Sequence, residues 1–257
     1  MLHVSGNRSV VSIKDVPNES VQIGDCPNTL YRYVPPPYDQ CFLKGKLQIK
    51  PLDAYVSTED AARRDAQEGR KVHRIPEGDL PSLPMRTIGY NHPVTARDNQ
   101  EAVVALPSYC LCFSQVASRE LAERFKDRRD SRTASCVRVE SPQNFINEAD
   151  SVFRKESQKN GRPVICSFAK PVRYKRGDST RWPFLAGARD PRLIKAFDPF
   201  ACEAEFRIIW SVPTIGQLPP LEVQLRDLDK LLSIVPWVDL AERVEFAVAC
   251  IDDGPGE

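Results

Sequence analysis

The stretch "ACEAEFRIIW", residues 201–210, puts Glu203 and Glu205 two positions apart at the start of an alternating apolar run. In a strand, side chains alternate between faces. Cys202, Ala204, Phe206, Ile208 and Trp210 then point into a core, and Glu203, Glu205 and Arg207 point the other way. The two glutamates are either the wet face of an edge strand or a working pair of carboxylates. Side chains at i and i+2 lie roughly 6–7 Å apart along a strand. That separation suits two acids serving different atoms of one ligand. One can steady positive charge at a sugar carbon while the other polarises an attacking group.

Around this stretch the chain reads as a sequence of short strands with few helices. "TLYRYV" (29–34) alternates, is aromatic-rich and stops at Pro35–Pro37. A strand follows around 46–50, another at 109–114 ("YCLCFS") and another at 134–140. Residues 118–127 form an amphipathic helix with Leu121 and Phe125 at i, i+4. Residues 142–159 form a longer helix with Phe145, Ile146, Ala149, Val152 and Phe153 on one side. Residues 163–174 read as a strand pair or a bent strand, 189–200 as a short helix with a turn, and 203–212, 231–240 and 243–251 as strands. "STEDAARRDAQEG" (57–69) is a surface helix or charged turn, and 76–100, with four prolines, an irregular excursion. No Gly/Ser linker divides the chain. The expected organisation is a peripheral segment over 1–28 and a single α+β domain over 29–257, its strands mainly antiparallel.

Composition narrows the function classes. The chain has 257 residues, enough for one large core. Net charge is +1, so nothing global demands a polyanionic partner. The 22 prolines against 12 glycines disfavour a helical bundle. Eight cysteines, mostly inside apolar runs, read as reduced and mostly buried thiols. The first residues lack a signal-peptide pattern and no run is long enough to span a bilayer, so a cytoplasmic protein without membrane contact is expected. Gly-rich phosphate loops are absent, and the three histidines and Cys110-x-Cys112 carry no zinc spacing. No metal site is expected, although a Mg²⁺-dependent nuclease would use Glu203 and Glu205 as ligands. The segment 170–192 is basic with Tyr174 and Trp182 interleaved; it is either a solvated loop or an anion-binding patch.

Glu-x-Glu opening a late strand, Arg32 in "LYRYV" and Ser114 ending "YCLCFS" stand in the order Arg, Ser, Glu-x-Glu. This pattern resembles the ADP-ribosyltransferase fold. The run "YRY", "FLKGKL", the "PL" to "EG" stretch, "LCFS" and "E-x-EFRI" (Tyr31–Tyr33, Phe42–Leu47, Pro51–Gly69, Leu111–Ser114, Glu203–Ile208) also resembles a large group of bacterial and phage proteins of uncharacterised function. The resemblance covers most of 29–212. It implies a split, mainly antiparallel sheet with a few flanking helices and NAD as co-substrate. ADP-ribose would pass to a macromolecular acceptor, protein or nucleic acid, in a toxin, effector or phage-conflict setting, with an antitoxin or immunity protein as a further partner. The alternatives on the same site are NAD hydrolysis and a non-catalytic nucleotide- or phosphate-binding module. Residue by residue, the resemblance gives Arg32 to the NAD phosphate or ribose, Ser114 to orienting Glu205, Glu205 to the ribose 2′-hydroxyl and the developing cation, and Glu203 to the acceptor. Tyr33 or Phe113 would stack on nicotinamide or else belong to the core, and Arg64, Asp65 and Glu68 would line the cleft or else form a solvated face. Cys-Phe-Ser stands where the toxin branch carries Ser-Thr-Ser, leaving one serine to orient the acid.

Overall fold

A computed structural model describes residues 20–56, 70–74, 94–97, 101–105, 107–126, 132–175, 191–197, 199–213, 217–226, 228–243 and 250–251. Its strands in chain order are β1 (Gln22–Ile23), β2 (Leu30–Val34), β3 (Lys46–Pro51), β4 (Arg70–Arg74), β5 (Val94–Arg97), β6 (Glu101–Ala105), β7 (Ser108–Ser114), β8 (Ser135–Val139), β9 (Cys166–Pro171), β10 (Arg173–Lys175), β11 (Ile194–Ala196), β12 (Glu205–Ser211), β13 (Leu221–Gln224), β14 (Leu232–Ile234) and β15 (Cys250–Ile251). The α-helices are α1 (Tyr38–Leu43), α2 (Leu52–Val56), α3 (Arg119–Arg124) and α4 (Pro142–Lys159).

Nine strands make one mixed sheet in the order β1-β9-β12-β7-β2-β8-β14, with β3 joining β7 to β13. Every pairing in it is antiparallel except β1 with β9. The architecture is α+β with few helices. β12 lies between β7 and β9, so it is a central strand and not an edge.

β7 explains the shape of the sheet. Its edge away from β12 meets β2 at the end of the strand (Tyr31 opposite Ser114) and β3 near the beginning (Lys50 opposite Cys110, Pro51 opposite Tyr109). Between these contacts, no described strand pairs with that edge of β7, and the sheet opens into a split. A carbonyl left in such a gap needs another donor. Arg32 Nη1 supplies it, at 2.6 Å from the Cys112 carbonyl oxygen.

The main core lies between the sheet and α4. Phe145, Ile146, Ala149 and Phe153 of α4 are fully buried, at the helical spacing expected. Phe153 stacks on Trp210 at 4.4 Å, and Phe145 meets the edge of Phe113 at 5.4 Å. Burying a side chain of this size contributes roughly 1.5–3 kcal/mol. The polar side of α4 also reaches the sheet. Asp150 accepts from Trp210 Nε1 at 2.9 Å and from Arg154 Nε at 2.8 Å, and Arg154 donates on to Ser167.

Several expectations are refined. The strand expected over 203–212 begins at Glu205, because Ala201–Glu203 form a 3₁₀ turn and Ala204 takes a left-handed conformation with φ 39°. Residues 163–174 are β9 and β10 with a bend at Val172, whose amide bonds the Glu205 carbonyl. The helix expected in 189–200 is instead a 3₁₀ turn followed by β11, which pairs in parallel with β10. Within 231–240 the strand covers only Leu232–Ile234. Residues 94–97, in the excursion read as irregular, form β5 of a three-stranded sheet with β4 and β6. β13, α1 and α2 carry no expectation at all, being short and weakly patterned. The segment 57–69, with Arg64, Asp65 and Glu68, lies outside the described residues, as do 1–19, most of the excursion and 176–190 of the basic segment. The cysteines described are free thiols, but only Cys110 and Cys136 are buried, and Cys41 and Cys166 are exposed. No helix among the described residues is long and apolar enough to cross a membrane.

Candidate functional site

The split opens a cleft of about 980 Å³. Arg32, Tyr33, Phe113, Ser114, Glu203 and Glu205 all line it. Lys46 and Lys50 of β3 stand on the wall opposite β2. The residues singled out from sequence therefore share one cavity, although they come from β2, β7 and the approach to β12.

The phase of β12 is the expected one. Phe206, Ile208 and Trp210 enter the main core. The other face is not wet, which overturns the edge-strand reading. Residues 191–197 and 199–204 fold over it as a second layer, so Glu205 is 5% exposed and Arg207 0%. Glu203 is not on the strand either. The kink at Ala204 turns it back over β12, where it is also 5% exposed.

Buried carboxylates need partners. Arg207 holds Glu205 in a two-point grip, Nε to Oε1 at 2.9 Å and Nη2 to Oε2 at 3.0 Å. Its third nitrogen donates to the Arg192 carbonyl at 2.7 Å. Lys195, on β11, places its ammonium 2.7 Å from Glu203 Oε2 and 3.1 Å from Glu205 Oε2. Arg124, on α3, lies 3.4 Å from Glu203 Oε1. Ser118 caps α3 by accepting from the Leu121 amide, which fixes where Arg124 leaves the helix. The Tyr174 hydroxyl accepts from the Glu205 amide at 2.8 Å. Burial pushes the Glu205 carboxyl up, but the Arg207 and Lys195 charges outweigh it and hold the group well below the usual carboxylate range. Burial pushes the Tyr174 phenol up, so it stays neutral.

The remaining expected residues have structural partners. Ser114 Oγ donates to the Glu203 main-chain carbonyl at 2.7 Å and accepts from the Val116 amide at 3.1 Å. It positions the backbone that carries the glutamates and does not bond the Glu205 carboxylate. Arg32 lies over the rings of Phe42 and Phe113, at 5.4 and 5.7 Å. Phe113 is 2% exposed and packs on Phe145, so most of its ring belongs to the core. Tyr33 stacks on Phe125 at 5.8 Å, while its hydroxyl donates to the Val116 carbonyl and accepts from the Ser118 amide. Cys110 and Cys112 do share a face, their sulfurs 3.3 Å apart. The hydrogen bond between them, with burial, pushes the Cys112 thiol up.

Lys195, Arg124 and Arg207 were not singled out from sequence as site residues. Arg207 stood in the quoted strand and shared a face with Glu205, a signal that was available. Lys195 and Arg124 lie in separate short elements, and nothing local links them to the glutamates. Among the described residues, no group of three His, Cys, Asp or Glu side chains is arranged to hold a metal ion. No family model, no curated protein and no solved structure matches this chain.

Proposed function

We propose that the chain is an ADP-ribosyltransferase-like enzyme that consumes NAD in the cleft at the split of its sheet. The observation that carries this reading is convergence: Arg32, Ser114, Glu203 and Glu205, distant in sequence, line one cavity. Its volume lies in the range of small-molecule and cofactor sites. Lys46, Lys50 and Arg32 on its walls, with Lys195 at its acidic end, suit a ligand carrying phosphates.

In this reading the C1′–nitrogen bond of NAD breaks and nicotinamide leaves with the bonding electrons. An acceptor nucleophile adds to C1′ and gives up its proton. A carboxylate fixed in its ionised form cannot serve as a general acid. It can accept a hydrogen bond from a ribose hydroxyl and face the positive charge that develops on the sugar. Glu205 fits that role, because Arg207 and Lys195 keep it charged. Glu203, at the same end of the cleft, is assigned to the acceptor.

One observation favours a second reading, a nucleotide- or phosphate-binding module without catalysis. Three cations, Lys195, Arg207 and Arg124, surround two carboxylates, which offsets the negative field that a sugar cation needs. Incubation with adenylate-labelled NAD separates the readings. Label on a macromolecule supports transfer, and free ADP-ribose alone supports hydrolysis. Retained ADP-ribose binding with no NAD consumption supports the module. Consumption unchanged in both Glu203→Gln and Glu205→Gln overturns the assigned site.

A further inference from the structure

Glu203 and Glu205 reach the same spot from different local structures, a 3₁₀ turn and the first residue of β12, with the left-handed Ala204 between them. Two carboxylates brought together this way repel each other unless something stands between them. Charged and titratable groups face them from β12, α3, β7, β10 and β11, and Cys202 of the 3₁₀ turn lies near Glu203. Of the two acids, Arg207 of β12 grips Glu205 and Arg124 of α3 meets Glu203. Cys112 of β7 lies against Glu205, and Tyr174 of β10 takes the Glu205 amide. Lys195 of β11 contacts both carboxylates.

We propose that Lys195 is a positioning residue whose ammonium clamps Glu203 and Glu205 into one paired acidic unit at the end of the cleft. Both Oε2 atoms touch the same nitrogen, so the two acids lie within the roughly 6 Å over which like charges perturb each other strongly. A compact ammonium with three donors fits between two carboxylates, whereas the flat two-point grip of a guanidinium serves one. The Lys195 side chain is 6% exposed, and its ammonium sits 4.5 Å from the centre of the Phe200 ring, so the charge is fixed from behind by an aromatic face. Removing the ammonium takes away the cation that stands against both acids and one of the two charges that hold the Glu205 carboxyl down.

The bearing of this clamp on catalysis rests on the function proposed above; the clamp itself does not. The test is a carboxyl carbon-13 NMR titration of the full chain, from about pH 4 to about pH 8, with glutamate labelled. In the wild type the Glu205 signal stays flat across the window. In Lys195→Met the Glu205 titration midpoint moves up and enters the window from its acid end. Lys195→Arg, which restores a cation, lowers that midpoint again. A Lys195→Met titration identical to wild type overturns the proposal. So does a wild-type Glu205 signal that titrates inside the window, a result that needs no variant to fold. NAD consumption is followed in parallel. If the wild type consumes no NAD at any pH, the enzyme reading fails while the titration still decides the clamp. If it does, Lys195→Met turnover gains a dependence on pH, through the new midpoint, that the wild type lacks.

Discussion

Glu205 and Arg207, two positions apart on β12, form a bidentate ion pair with both members buried. A strand that buries alternate charged residues needs a second polar layer above it, and Lys195, Glu203 and the Arg192 carbonyl provide that layer.

Breaking this pair is costly. Arg207→Met leaves the 5% exposed Glu205 with Lys195 as its remaining ion-pair partner. Loss of one partner of a buried pair typically costs about 3–5 kcal/mol. Urea unfolding at neutral pH is expected to show a loss of that size, and the Glu205 carboxyl is expected to titrate at higher pH than in the wild type.

The same pair makes stability depend on pH. The folded-state Glu205 carboxyl lies below its ordinary value of 4.5. Its contribution is therefore complete well above 4.5 and is lost as pH falls from there through the folded value. The midpoint of urea unfolding is expected to fall on acidification below about pH 4.5. Arg207→Met should flatten that dependence, and an equally steep loss in the variant would contradict it.

Asp150 ties α4 to the sheet through Trp210 and Arg154. Asp150→Ala strands the buried indole N–H and releases Arg154. Buried groups left unsatisfied cost about 1–3 kcal/mol each, more when charged. Thermal unfolding is expected to drop by several degrees, with no change in ADP-ribose binding, because neither residue lines the cleft.

Arg32 has a structural duty and, in the proposed function, a ligand. Arg32→Met removes the donor to the Cys112 carbonyl at the split. A hydrogen bond from a charged group is worth about 1.5–3 kcal/mol. Stability is expected to fall by about that much, and ADP-ribose binding by calorimetry to weaken about tenfold or more. Unchanged binding in a folded variant would remove Arg32 from the ligand site.

Gly45, in the turn between α1 and β3, has φ +77°, and an added Cβ would stand 2.4 Å from the Leu225 carbonyl oxygen. Gly45→Ala combines a disfavoured conformation with a clash against backbone. It is expected to cost more than about 1 kcal/mol, read as a lower urea midpoint.

The sequence alone carried the elements with a strong period. β2, β8 and α4 lie where their patterns put them, β7 lies where a compact apolar run put it, and the inward phase of Phe206, Ile208 and Trp210 is the expected one. These patterns are local, because each records which side of its own element meets a core. What covers the opposite face of β12 was not local. The wet-face reading failed because a second layer, built from a 3₁₀ turn and a three-residue strand with no readable period, buries Glu203, Glu205 and Arg207. Lys195, ten positions before Glu205 in a segment that reads as a short helix with a turn, carried no local sign of its role until β10 and β11 paired in parallel and set its ammonium against both acids. Charge pairing across folded elements depends on distances in space. Those were decided by where the sheet split and where the chain doubled back.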